Sequence, residues 1–293
     1  MTRKRFFRRH QGRGSYDLFS SYSHYLPGIR GMFILLALFL AGALLGNLVT
    51  GILIAVFGQE FASEYGTVIT YPVMFIPPML YASVQSRLNE NSVPEIKLDR
   101  NEFGNIGGLK LAAIACIGTL AAAYVIEPVT LLLPEMPQAL KNIMDGLLEN
   151  CPVWVTLLSV SVFAPLFEEW LCRGIVLRGL LHNKMNPAGA IAVSAVFFAI
   201  LHLNPWQAIP AFVLGSLFGY VYYKTGSLKL TMLMHCANNT LAAVLSHTPA
   251  LKDAETFMDV LSPWAYWCIY AACIAVVVCS VLIFSTLKQG QEN

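Results

Sequence analysis

Eight long apolar runs are the feature that most constrains how this chain can fold. They cover residues 31–57, 66–84, 109–133, 153–173, 187–204, 206–223, 229–246 and 263–287. A membrane-spanning helix needs about 20 mostly apolar residues, and these runs reach or approach that length. Only 12% of the 293 residues are charged, against about 25% in an ordinary soluble domain. We therefore predict an all-α, polytopic membrane protein with about eight transmembrane helices.

The basic residues predict the orientation of these helices. Seven of them precede the first apolar run: Arg3, Lys4, Arg5, Arg8, Arg9, Arg13 and Arg30. Lysine and arginine return after the second, fourth, sixth and last runs, whereas the predicted outer loops carry only Lys141 and Lys252. By the positive-inside rule both termini are cytoplasmic, and we expect a bacterial inner membrane. The basic arm is interpreted as a topology signal that contacts anionic lipid, not nucleic acid.

The runs divide the chain into four predicted segments. Residues 1–30 form a basic cytoplasmic arm, 31–149 hold the N-terminal transmembrane helices, 150–246 form the core, and 247–293 hold an outer loop and the last span. A cleaved signal peptide is not expected, because the run 31–57 is longer than the apolar region of such a peptide. The seven cysteines show no metal or disulfide spacing and are interpreted as small buried apolar residues.

A few ionisable side chains interrupt the apolar runs, and such groups are costly in a membrane and usually functional. They are Glu127, Glu168, Glu169, His202 and His235, with Arg173 at the edge of a run. Helical residues four apart share a face, so Glu169 can pair with Arg173. Glu168 lies about 100° around the helix and can face a cavity. The alternative is a structural ion network. Glu127, which precedes Pro128, is either a structural acceptor or a cavity residue.

The two histidines and Asn239 add the remaining groups that peptide hydrolysis needs. A glutamate with a neighbouring histidine can deprotonate water, and a histidine with an asparagine can stabilise an oxyanion. His235 and Asn239 are four apart and share a helix face. Glu168, His202 and His235 could instead hold one zinc ion with an open position. A single histidine on a helix is more often a hydrogen-bonded core residue, so the catalytic interpretation depends on the combination of these groups.

The sequence lacks the residues that other classes of hydrolase require. All five aspartates lie outside the apolar runs, which argues against an aspartyl intramembrane protease. The chain contains no His-Glu-x-x-His and no Gly-x-Ser-x-Gly sequence. Two further expectations concern packing. Gly42 with Gly46 and Gly215 with Gly219 should permit close helix approach, and Pro72, Pro77 and Pro78 should kink or break the second span.

Three short motifs resemble those of one known family. Glu168-Glu169-x-x-x-Arg173, Phe198-x-x-x-His202 and His235-x-x-x-Asn239 are similar to the motifs of the CPBP intramembrane proteases. That family includes the type II CAAX prenyl endopeptidases and proteins linked to bacteriocin self-immunity. The resemblance covers roughly residues 150–245 and implies an eight-helix, CAAX-protease-like helical core.

The resemblance also implies a role for each residue. Glu168 would activate water with help from His202, His235 and Asn239 would stabilise the oxyanion, and Glu169 and Arg173 would support them. The family is often described as metalloproteases, although a metal-free glutamate mechanism is also argued for it. The expected cofactor is therefore none or one zinc ion. The expected substrate is a membrane-associated protein or peptide, lipidated ones included.

Two functions other than proteolysis are also compatible with the sequence. The chain could be a non-enzymatic scaffold or immunity protein, or a small proton-coupled carrier. The absence of an internal repeat in the sequence argues against the carrier.

Ideal helices would place Glu168 and His202 at different depths, because a helix rises about 1.5 Å per residue. A shared site therefore requires shifted, tilted or broken helices around these residues.

Overall fold

The computed structural model describes residues 19–141, 151–248 and 256–287. Every regular element within these ranges is helical, which confirms the all-α prediction. The long helices are α1 Ile29–Phe57, α2 Gln59–Leu88, α3 Gly108–Thr130, α4 Val153–His182, α5 Pro187–Leu201, α6 Pro205–Thr225, α7 Leu228–Ser246 and α8 Pro263–Ser285. Most of the predicted basic arm, residues 1–18, lies outside the described residues, as do Lys252 and Lys288.

Five of the helices in the described ranges are long and apolar enough to cross a membrane, namely α1, α2, α3, α4 and α8. The polytopic membrane class predicted from the apolar runs is therefore confirmed. Helices α5, α6 and α7 coincide with the predicted runs 187–204, 206–223 and 229–246. Helix α5 has only 15 residues, which is short for a full crossing. The count of eight crossings stays a prediction.

Helix α4 is the central element of the fold. In its most apolar window 56% of the residues are buried, against 11% in α8. Its second half is enclosed completely: each residue from Trp170 to Leu180 is buried. Helices α5 and α7 pack against it, and α2 contacts it through the stacked rings of Phe75 and Phe167, 5.2 Å apart. A charged group on this helix is therefore surrounded by protein, not lipid.

Helices α1 and α2 form an antiparallel pair through a glycine contact. A Cβ atom on Gly42 would lie 2.0 Å from the carbonyl oxygen of Met74, so no larger residue fits there without a shift. Helix α2 continues from Gln59 to Leu88 through Pro72, Pro77 and Pro78. Of the two expected effects, a break at these prolines is wrong, whereas a kink stays a prediction. The pairing with α1 and α4 holds the segment in one helix despite the missing backbone donors.

Helix α4 carries the irregularity that a shared site requires. Its α-helical turns are interrupted by two π-helical segments, Leu157–Phe163 and Trp170–Leu177. Between them lies a short α-helical stretch, Ala164–Glu169. Each π turn accommodates an extra residue and rotates the side chains that follow, and such segments are frequent at functional sites. Helix α5 ends at Leu201 and is followed by Leu203 at φ +51°.

Arg178, near the end of α4, fastens the N-terminal segment to the core. Its Nη2 donates to the carbonyl oxygens of Tyr22 and Tyr25 at 2.9 and 2.8 Å. Its Nη1 donates to the carbonyl oxygen of Ser23 at 3.3 Å and to that of Ile96. This buried guanidinium thus joins the segment before α1, the loop after α2 and the end of α4.

Candidate active site

Glu168 and Glu169 end the short α-helical stretch between the two π segments of α4. Their side chains are adjacent in sequence but differ in surroundings. That of Glu169 is fully buried, and that of Glu168 is 12% exposed. Helical geometry alone predicts this difference, because successive residues point about 100° apart. The two carboxylates therefore meet different partners.

One carboxylate oxygen of Glu169 is held by two groups, the guanidinium of Arg173 and the imidazole of His235. Its Oε1 accepts a 2.7 Å hydrogen bond from Nη1 of Arg173 and lies 3.1 Å from Nδ1 of His235. The ion pair predicted between Glu169 and Arg173 is thus present, with both side chains fully buried. Nη2 of Arg173 donates to the carbonyl oxygen of Gly215 at 2.8 Å. The guanidinium also lies over the ring of Phe198, 4.6 Å from its centroid.

One oxygen of the Glu168 carboxylate is held by a hydrogen bond, and the other is not. Its Oε1 accepts a hydrogen bond from the hydroxyl of Tyr71, which comes from α2. Its Oε2 is buried and has no hydrogen-bond partner in the part of the chain that the structure describes. That oxygen lies 3.9 Å from Nε2 of His235, which is too long for a direct hydrogen bond. A carboxylate so placed has an acceptor oxygen available for a reacting group.

His235 lies between the two glutamates, one on each side of its ring. A carboxylate oxygen can only accept, so Nδ1 carries the proton of the bond to Glu169. Nε2 is then the nitrogen that faces Glu168. A carboxylate that fixes the orientation of an imidazole in this way is common in catalytic sites. The rings of Phe198 and Phe218 pack against His235 at 5.5 and 5.6 Å and limit its movement further.

His202 immediately follows α5, and one of its two ring nitrogens is bonded to a backbone carbonyl of that helix. Nδ1 lies 3.0 Å from the carbonyl oxygen of Phe198 and must donate to it. In the neutral ring Nε2 is therefore an acceptor. The ring of Phe198 contacts His202 at 4.9 Å and His235 at 5.5 Å, so one phenyl ring adjoins both imidazoles. Whether His202 cooperates with Glu168 stays a prediction.

Asn239 lies one helical turn after His235 on α7, and its amide already has protein partners. Nδ2 donates to the carbonyl oxygen of Val160 at 2.9 Å, in the first π segment of α4. Its Oδ1 accepts from Nδ2 of Asn238 at 3.1 Å. One of the two Nδ2 protons is thus used to join α7 to α4. The predicted oxyanion role of Asn239 depends on the other proton.

The residues considered for zinc do not form a metal site. Within residues 19–141, 151–248 and 256–287, no three His, Cys, Asp or Glu side chains come together in a way that could hold a metal ion. The prediction that Glu168, His202 and His235 could share a zinc ion therefore does not fit the geometry. His235 instead uses Nδ1 for Glu169.

Glu127 belongs to a separate structural cluster. Its Oε1 accepts from the backbone nitrogen of Phe257 at 2.6 Å, and its Oε2 accepts from the hydroxyl of Tyr266 at 2.9 Å. Of the two predicted roles, the structural acceptor is the one these contacts match. Ser194, a hydroxyl on α5, donates to the carbonyl oxygen of Cys172 at 2.9 Å, so it is bonded to the backbone.

Two contacts of this site have no signal in the sequence. Tyr71 is one of twelve tyrosines, and nothing in the pattern around it points to Glu168, 97 positions later. Gly215 was recognised as a packing residue, but the bond from Arg173 to its carbonyl oxygen was not. A Cβ on Gly215 would lie 2.9 Å from Phe198 and 3.1 Å from Nη2 of Arg173. Glycine therefore makes room for the guanidinium.

The fold and the site together define an α-helical membrane protein with a buried glutamate–histidine cluster between its central helix α4 and α7. Residues 150–241 match the family model described as type II CAAX prenyl endopeptidase, Rce1-like. That range contains all three motifs, so the resemblance to the CPBP proteases is confirmed. Residues 150–241 are thus similar to the core of this membrane-protease family.

One curated protein is similar to part of this chain. The protein named "Putative membrane peptidase YdiL" of Bacillus subtilis (strain 168) is 26% identical over 104 residues. The aligned region is 34% of this chain and 42% of that relative, so the chain spans about two fifths of the relative's length. No solved structure matches the chain.

Proposed function

We propose that this protein is an intramembrane endopeptidase with Glu168 as the general base. The observation that carries the proposal is the state of the Glu168 carboxylate. One oxygen is held by Tyr71, and the other is buried, has no hydrogen-bond partner within the described ranges, and lies 3.9 Å from Nε2 of His235. A general base needs an available acceptor atom that is fixed in position and shielded from bulk water.

The reaction follows from these groups without a covalent intermediate. Glu168 Oε2 takes a proton from water as the water oxygen bonds to the carbonyl carbon of the scissile peptide. The carbonyl π electrons move to its oxygen, which becomes an oxyanion. When the C–N bond breaks, the same carboxyl returns its proton to the leaving nitrogen, so the products are a new carboxyl terminus and a new amine. His202, with Nε2 as an acceptor, would orient the water.

Stabilisation of the oxyanion would come from His235 and Asn239. His235 can donate from Nε2 only when both of its nitrogens carry protons, because Nδ1 already donates to Glu169. Glu169 and Arg173 support this arrangement by fixing the ring of His235 and by anchoring α4 to Gly215. In a site of low polarity such donors contribute strongly.

The proposed substrate is a membrane-associated protein or peptide, and both lipidated and unmodified forms are candidates. The proposed setting is a bacterial inner membrane with both termini cytoplasmic, as the distribution of lysine and arginine indicates.

The test is cleavage of a membrane-anchored peptide library, half of it carrying a prenyl group on a cysteine near the carboxyl terminus. The purified protein in liposomes is compared with Glu168→Gln, and products are identified by mass spectrometry in water enriched in oxygen-18. We expect wild type to introduce one labelled oxygen into the new carboxyl terminus. Glu168→Gln should lose about 100- to 10,000-fold in rate.

The matched control is Glu127→Gln, which changes a glutamate of α3 that binds Phe257 and Tyr266. This variant should cleave as wild type does. Activity of Glu168→Gln within tenfold of wild type would refute Glu168 as the base. Equal losses in both variants would assign the effect to folding.

A further inference from the structure

Helix α2 contributes a side chain to the candidate site from outside the family-matched segment. Tyr71 lies 97 positions before Glu168 and outside residues 150–241. Its hydroxyl donates to Oε1 of Glu168. The N-terminal helices, which carry no recognised motif, thus touch the proposed general base directly.

The ring of Tyr71 is held by a row of aromatic side chains. It stacks on Phe75 of the same helix at 5.8 Å, and Phe75 stacks on Phe167 of α4 at 5.2 Å with an interplanar angle of 17°. Phe75 is fully buried. Because Phe167 directly precedes Glu168, this row fixes both the donor ring and the backbone that carries the acceptor. The hydroxyl is therefore aimed at one oxygen of the carboxylate.

The two oxygens of Glu168 consequently have different roles. A carboxylate held at one oxygen cannot turn freely about its last torsion, so the other oxygen has a fixed direction. Oε2, buried and facing His235 Nε2 at 3.9 Å, is that other oxygen. Without the Tyr71 hydroxyl the carboxylate could rotate and form a direct contact with His235. Such a contact would occupy the atom that must take the proton.

We propose that Tyr71 is a positioning residue for the general base: its hydroxyl holds Oε1 of Glu168 so that Oε2 is presented to the attacking water. This inference rests on the proposed function. It makes α2 a part of the catalytic unit, so residues 150–241 alone do not contain the complete site. A hydroxyl that merely satisfied its own hydrogen bond in a helix contact would affect stability but not the chemical step.

The test compares Tyr71→Phe with wild type as full chains in liposomes, on the peptide cleaved in the preceding experiment. This change removes only the hydroxyl and keeps the ring that stacks on Phe75. We expect kcat per folded protein to fall about 10- to 100-fold, because the lost bond is made to a charged group and the base loses its fixed direction. KM should stay within about twofold, since the hydroxyl does not contact substrate. Tyr81→Phe, on the same helix and edge-on to Tyr25 at 5.8 Å, is the control and should change neither constant.

An infrared measurement gives a readout that does not depend on turnover. The carboxylate band of Glu168 is assigned as the one lost in Glu168→Gln, and it should shift in Tyr71→Phe but not in Tyr81→Phe. A kcat within twofold of wild type, or an unshifted band, overturns the inference while the proposed function stands. Full cleavage by Glu168→Gln overturns both. A loss confined to the yield of folded protein, with kcat unchanged, makes Tyr71 structural and also overturns it.

Discussion

Removal of the carboxylate of Glu169 gives the sharpest test of the buried charge cluster. Glu169→Gln keeps the size of the side chain and an acceptor oxygen, but it leaves Arg173 charged and fully buried without its anionic partner at 2.7 Å. The guanidinium keeps one bond to the carbonyl oxygen of Gly215 and its contact with the ring of Phe198. These neutral partners do not replace a charge.

The expected cost follows from the burial of both partners. Breaking a buried ion pair by removing one member costs about 3–5 kcal/mol, because an uncompensated charge remains in the interior. For a chain of this size that corresponds to a fall in melting temperature of roughly 6–20 °C. Glu168→Gln should behave differently. Glu168 has no ion-pair partner of this kind, and a glutamine oxygen can still accept from Tyr71, so the expected loss is about 1 kcal/mol.

The assay is thermal unfolding in detergent micelles, read by the fluorescence of the native tryptophans, together with peptide cleavage. The paired variant Glu169→Leu with Arg173→Met removes both charges and should recover most of the lost stability. It should not recover activity, because Nδ1 of His235 has lost its acceptor.

The surface provides the matched control. Lys229→Met removes the 2.9 Å pair with Asp99, in which the lysine side chain is 71% exposed and the aspartate side chain 6% exposed. Asp99 keeps the hydroxyl of Ser227 and the backbone nitrogen of Lys229 as donors, so the change should cost about 1 kcal/mol or less. If Glu169→Gln costs no more than Lys229→Met, the buried cluster is not the stabilising element inferred from its contacts. If the paired variant is less stable than Glu169→Gln alone, the account of an unpaired Arg173 is wrong.

Two further outcomes are expected. Gly215→Ala would place a Cβ 2.9 Å from Phe198 and 3.1 Å from Arg173, so the free energy of unfolding in detergent should fall by about 1–3 kcal/mol. The control is Gly51→Ala, whose Cβ meets nothing within 4 Å and which should not destabilise the protein. Equal effects of the two variants would contradict the crowding argument. Cleavage should persist after dialysis against a zinc chelator, because no three metal-binding side chains cluster in the described part of the chain; a loss of activity that added zinc restores would contradict this.

Much of the fold could be predicted because it depends on local composition. Apolar runs of membrane length predict helices, and the predicted runs and the observed helices agree at most ends within a few residues. The second and fourth spans are exceptions. Helix α2 begins at Gln59, seven residues before the predicted run, and continues through three prolines, and α4 continues to His182, nine residues beyond its predicted run. Charged residues at the start of α2 and close packing against α1 extend that helix beyond what hydropathy alone indicates.

The site was predicted in part for the same reason. The bond between Glu169 and Arg173 connects residues four apart on one helix, so spacing alone indicates it. The bond from His235 to Glu169 and the bond from Tyr71 to Glu168 connect residues 66 and 97 positions apart. Periodicity indicates which face a residue occupies but not which other helix lies against that face.

The sequence by itself determined that this is a helical membrane protein, that most of the ionisable residues in its apolar runs lie in residues 150–246, and that Glu168 and Glu169 point in different directions. Only the tertiary structure decided what each carboxylate meets. It placed Tyr71 on one oxygen of Glu168, set His235 between the two glutamates, and widened α4 with π turns on both sides of them. These features arise when separate helices pack together, because a hydrogen bond across an interface depends on the relative depth and rotation of both helices.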